Sequence, residues 1–129
     1  MTIAVDFDGV IHSYDKGWQN GRIYGKEIDG AFLSLDLMLI HDSVFIHTAR
    51  NPTQVSRWIE KESNHTLECT TWCPRTWYGK RKNFWNTRGI LLVTNYKYPA
   101  KMYIDDRAYK FETWGNPLAD IPKLLGVSV

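Results

Sequence analysis

The sequence predicts an α/β sandwich with a largely parallel sheet. Three observations carry that expectation. Short β-branched runs alternate with segments of helical period. Three of those runs end in groups compatible with a phosphate or a metal, namely Asp6, Thr48 and Asp105, and ligands of parallel α/β sheets gather at strand carboxyl ends. The 129 residues suit one domain, 1–129, with a single core.

The elements follow in order. Thr2-Ile3-Ala4-Val5 reads as a buried strand ending near Asp6. Residues 12–26 are polar and carry Gly17, Gly21 and Gly25, which predicts a flap or small hairpin. Asp29 is the expected helix N-cap. Ala31, Phe32, Leu35, Met38 and Leu39 follow at helical spacing, the clearest amphipathic pattern in the chain.

Val44 to His47 predicts a second strand. Asn51-Pro52 is a good cap and first-turn pair for a helix burying Val55, Trp58 and Ile59. Thr66 to Thr70, Ile90 to Val93 and Lys101 to Ile104 read as further strands. Asn116 and Pro117 open an expected last helix, which Pro122 breaks or restarts.

Composition narrows the class. A net charge of +2 sets no global field that demands a nucleic acid. Charge is nevertheless uneven: no acidic residue lies between Glu68 and Asp105. Two cysteines are too few for a disulfide framework, and their spacing with His65 does not form a common zinc site. The longest apolar segment, Ala31 to Ile40, is interrupted by Ser34 and Asp36. Neither a membrane span nor a secretory leader is expected, and the expected location is cytoplasmic.

Asp6-Phe7-Asp8-Gly9 is the most informative stretch. Two carboxylates two apart at a strand end, with Gly9 permitting the turn, suit a hard divalent cation and a phosphate. Such a site fits phosphoryl transfer to a carboxylate nucleophile.

Asp6-Phe7-Asp8-Gly9, then Phe45-Ile46-His47-Thr48-Ala49-Arg50, then Lys97, then Tyr103-Ile104-Asp105-Asp106 together resemble the four ordered motifs of the haloacid dehalogenase (HAD) superfamily. The match spans residues 2 to 107. The resemblance implies a three-layer, Rossmann-like sandwich with little or no cap. It implies an Mg²⁺-dependent phosphomonoesterase, with Asp6 as nucleophile and Asp8 as the acid and then the base.

On that likeness, Thr48 donates its hydroxyl and its backbone N–H to a phosphoryl oxygen. Gly9, Ala49 and Arg50 contact substrate, although Arg50 has packing and salt-bridging as an equal alternative. Lys97 offsets the transferring charge, with Lys101 as rival. Asp6, the Asp8 carbonyl oxygen, Asp105 and Asp106 surround the Mg²⁺. His47 stands where the family usually has an apolar residue, and is expected to be buried and hydrogen-bonded.

Substrate signals are weaker. The insertion at 72–88 interleaves Arg75, Lys80, Arg81, Lys82 and Arg88 with Trp72, Trp77, Tyr78, Phe84 and Trp85. Cations beside aromatic faces favour a nucleotide or a phosphorylated nucleic-acid end. The alternative is a core and a solvated face. The flap, with His12, Tyr14, Trp18 and Tyr24, is expected either to gate the site or to be pinned to the core by Trp18. The contrasting function is a catalytically silent scaffold that binds nucleic acid.

Overall fold

The computed structural model describes residues 2–72, 85, 89–108, 110–115, 119, 120 and 126. Five strands form one parallel sheet: β1 (Thr2–Asp6), β2 (Ser43–His47), β3 (Cys69–Thr70), β4 (Leu91–Thr94) and β5 (Met102–Ile104). Their order is β3-β4-β2-β1-β5. Two helices, α1 (Ala31–His41) and α2 (Pro52–Glu62), belong to the crossovers β1-α1-β2 and β2-α2-β3. Asn116 and Pro117, the expected start of the last helix, Pro122 and nearly all of the 72–88 insertion lie outside the described residues.

Both crossovers step in the same direction along the sheet. A right-handed connection therefore puts both helices on one face. Ile3, Val5, Val44, Ile46, Leu91 and Val93 point there and pack with Phe32, Leu35 and Leu39 of α1 and Val55 and Ile59 of α2. Val44 and Ile46 are fully buried, and burying such a side chain contributes about 1.5–3 kcal/mol.

The chain then reverses direction, from β3 to β4 and from β4 to β5, and Trp85, Tyr98 and Ala100 of those connections lie on the other face. Ala4, Phe45 and Leu92 on that face meet Trp85, Tyr98 and Ala100. Trp85 Nε1 donates to the Val44 carbonyl at 2.9 Å. The expected three layers are thus reduced, among the described residues, to a sheet with helices on one face and aromatic side chains on the other.

The helix starts differ from one another. Asn51 caps α2 as expected, its Oδ1 accepting from the Thr53 N–H at 2.9 Å and the Gln54 N–H at 3.4 Å. For α1 the cap is Gly30, in a left-handed conformation, rather than Asp29. The Glu27 carboxylate instead accepts the Phe32 N–H at 2.7 Å. Nor is α1 the cleaner amphipath: Leu33, Leu37 and Ile40 lie on its exposed side.

Candidate functional site

Parallel pairing in register brings the strand ends to one edge. Asp6 stands opposite His47, and β5 pairs along β1 up to Ile104. Asp105 and Asp106 therefore leave the sheet beside Asp6. Carboxylate oxygens of Asp6, Asp105 and Asp106 lie within 4.8 Å of one another. Asp105 also accepts the Arg107 N–H at 2.7 Å, which shapes the turn.

Asp6 is half-buried, with the Phe7 N–H donating to its Oδ1 at 2.9 Å. Burial first, and then the charges of Asp105, Asp106 and Asp8, push its carboxyl up to about 6, against the single opposing effect of the Phe7 bond. An all-oxygen donor set of this kind fits a hard cation such as Mg²⁺. Gly9 fits the same purpose. Its φ is +83°, and a Cβ there would collide with an Asp106 carboxylate oxygen. With no side chain at position 9, the Asp106 carboxylate approaches this turn without being displaced.

Asp8 has a different setting. Its Oδ1 faces His12 Nδ1 at 2.9 Å and its Oδ2 accepts from Arg50 Nε at 2.8 Å. His12 is fully buried. The Gly25 N–H donates to His12 Nε2 at 2.8 Å, which leaves the ring proton on Nδ1, directed at Asp8. Phe7 stacks on the imidazole at 5.3 Å, and Tyr24 and Trp58 meet it edge-on. The Asp8 side chain joins this network, while the three-carboxylate cluster is built without it.

Arg50 is 4 % exposed. Nε binds Asp8, Nη1 donates to the Gly21 carbonyl at 2.8 Å, and Nη2 has no hydrogen-bond partner. The guanidinium lies 4.7 Å from the Trp18 ring centroid and 5.7 Å from that of Tyr14. Of the two alternatives for Arg50, packing and pairing is the one these contacts display, and Nη2 remains a buried donor without a partner.

Thr48 is buried, but its backbone N–H is occupied by the Thr94 carbonyl at 3.0 Å, a consequence of β2–β4 pairing. The expected backbone donation to a phosphate is not open to it. Thr48 Oγ1 accepts the Arg50 N–H at 3.1 Å, which leaves the hydroxyl proton as the donor. Gly9 likewise uses its N–H on the His12 carbonyl at 2.9 Å. Ala49 is exposed in the turn between Thr48 and Arg50.

The two lysines separate. Lys101 sits at the amino end of the sheet, its backbone N–H on the Thr2 carbonyl and its ammonium 3.5 Å from Asp42. That is the wrong edge for the acidic cluster. The exposed Lys97 stays on the β4–β5 connection, its ammonium 4.8 Å from the Tyr103 ring centroid. Tyr103 in turn lines a cleft of about 30 Å³ with Asp6, His47 and Asp105. His47 is thus half-buried beside Asp6, not buried as expected. A larger cavity of about 290 Å³ lies against α1, is mostly apolar, and contains none of the clustered aspartates.

Sequence reasoning placed His12 in a flap and missed it as Asp8's partner. Its i, i+4 spacing from Asp8 across the Gly9 turn is the available signal. Compared with family models, curated proteins and solved structures, this chain matches none, so its function rests on the residues themselves.

Proposed function

We propose that this protein is an Mg²⁺-dependent phosphomonoesterase working through an aspartyl-phosphate on Asp6, as its resemblance to the HAD superfamily implies. The observation that carries the reading is the convergence of Asp6, Asp105 and Asp106 from two adjacent strand ends. Asp6, Asp105 and Asp106 would hold the ion, which neutralises their mutual repulsion and the phosphate's charge.

With Asp6 Oδ1 engaged by Phe7, Oδ2 is the oxygen free to attack phosphorus. The P–O bond to the leaving group breaks as the Asp6 O–P bond forms. A proton on Asp8 passes to the departing oxygen. Asp8, now a carboxylate, then takes a proton from the water that cleaves phospho-Asp6 and releases phosphate. His12 and Arg50 donate to both Asp8 oxygens, an arrangement suited to this second, basic half. The Thr48 hydroxyl and Arg50 Nη2 supply donors for phosphoryl oxygens. A buried guanidinium N–H without a partner costs about 1–3 kcal/mol, so an anion beside Arg50 is favoured.

The test is Mg²⁺-dependent release of p-nitrophenol from p-nitrophenyl phosphate. Hydrolysis that disappears in Asp6→Asn supports the reading. Background hydrolysis only, with salt-sensitive oligonucleotide binding, would instead identify a silent nucleic-acid-binding scaffold.

A further inference from the structure

Resting on the phosphomonoesterase reading, we propose that Trp18 is a stacking platform for a nucleobase, so that the ester hydrolysed is a nucleoside phosphate. The backbone around Trp18 is tied down. Tyr24 Oη accepts the Lys16 N–H at 2.9 Å and donates to the Gly17 carbonyl at 2.8 Å, tying the flap across its base. Gln19 Nε2 closes the same turn on the Lys16 carbonyl at 2.7 Å. Gln19, Asn20 and Gly21 follow with φ of 45°, 56° and 79°, a left-handed run that aims the Gly21 carbonyl at Arg50 Nη1.

One face of the indole is occupied. The Arg50 guanidinium lies 4.7 Å from its centroid, and a Cβ on Gly21 would stand 3.2 Å from its benzo edge. Trp18 nevertheless remains 55 % exposed. A ring covered on one face and still half-exposed presents its other face to solvent. Flat and apolar, that face is ready for another planar ring.

Its location selects the leaving group. Arg50 touches both Trp18 and Asp8, so a single guanidinium separates the platform from the carboxylate that protonates the departing oxygen. Tyr14 lies between two cations, 5.7 Å from the Arg50 guanidinium carbon and 6.0 Å from that of Arg107, next to Asp106. The rim thus combines positive charge with aromatic faces. Phosphorylated nucleosides match that pairing, and every base offers a π-face. A short polyol phosphate such as glycerol 2-phosphate has no planar ring to stack on this face.

The experiment compares kcat/KM for adenosine 5′-monophosphate with that for glycerol 2-phosphate, in wild type, Trp18→Ala and Trp18→Phe. Trp18→Ala should lower the nucleotide preference about 10- to 100-fold, mainly through KM, and Trp18→Phe should restore most of it. An unchanged preference in Trp18→Ala, even if both rates fall, overturns the proposal and makes Trp18 a support for Arg50. If wild type hydrolyses neither ester with Mg²⁺, the phosphatase reading fails separately. The Trp18 indole N–H resonance, assigned by its loss in Trp18→Phe, then decides. A shift on titrating adenosine 5′-monophosphate supports the platform, and no shift overturns it.

Discussion

Asp6 and Asp8 are two residues apart, yet they occupy opposite electrostatic settings. Asp6 is half-buried among other carboxylates, with one backbone N–H as its donor. Asp8 receives an imidazole and a guanidinium, both buried. β1 ends at Asp6, and the turn through Gly9 takes the Asp8 side chain out of the strand's alternation to different neighbours. One carboxylate sits among like charges and suits a cation. The other has its donors built in and suits proton transfer. A pair of acids thus becomes two tools through surroundings alone.

The largest test removes the first tool. Asp6→Asn should reduce phosphate release on the order of 10³-fold or more, and it should also stabilise the metal-free protein at pH 7. The sign follows from the raised carboxyl. Its folded value of about 6 exceeds the ordinary 3.8, so its stabilising contribution is full below 3.8 and lost as pH rises through about 6. Thermal melts in EDTA should show wild type losing stability between pH 4 and pH 7 more steeply than Asp6→Asn. Mg²⁺ should raise the pH 7 melting temperature of wild type far more than that of the variant. The same titration predicts weaker Mg²⁺ binding below about pH 6, measurable by calorimetry.

The second test removes the other tool. Asp8→Asn should slow phosphorylation of Asp6 on the order of 10²-fold or more for alkyl phosphates, with aryl phosphates less affected because their leaving groups need less protonation. Single-turnover rates on both ester types measure this. Equal losses would remove Asp8 from the acid role.

A finer test separates His12 as a positioning residue from His12 as filler. An Asn amide nitrogen falls near the Nδ1 position, whereas a Gln amide reaches toward Nε2. His12→Gln should cost about 10- to 100-fold in kcat with alkyl phosphates, and His12→Asn should recover much of it. Equal losses in the two variants, matched by equal losses in melting temperature, would assign His12 to packing alone.

The smallest expected effect is at the turn between the two acids. Gly9→Ala places a Cβ against the Asp106 carboxylate and forces alanine to a positive φ. The backbone strain costs about 1–2 kcal/mol, and displacing Asp106 should weaken Mg²⁺ binding about tenfold. Denaturant melts and metal titration read the two parts separately. Unchanged metal affinity would show that Asp106 is dispensable to the ion.

Much of this arrangement was legible from sequence where a local rule governs it. The strand ending at Asp6 follows from its β-branched run, and the Asn51-Pro52 start of α2 follows from capping chemistry. The grouping of Asp6 with Asp105 was legible because parallel strands deliver their ends to one edge. Features set by pairing between distant segments were not. The Thr48 N–H is taken by Thr94 only because β2 and β4 are neighbours. Arg50 meets Gly21 and Trp18 because a left-handed run folds the flap over it, which no spacing rule foretells. Asp29 was displaced as the cap of α1 because Glu27, farther back, reaches the free N–H of Phe32.

The place of β5 in the sheet has a mechanical consequence. Among the described residues it is an outermost strand of three residues, paired on one side only, with β1. Its tip carries two of the three clustered acids, whose like charges repel that of Asp6. A divalent ion bridging that seam would act as a rivet, linking occupancy to fraying of the margin. Amide hydrogen exchange in Met102–Ile104 should therefore slow when magnesium is added, while the interior strand β2 exchanges at the same rate with or without it.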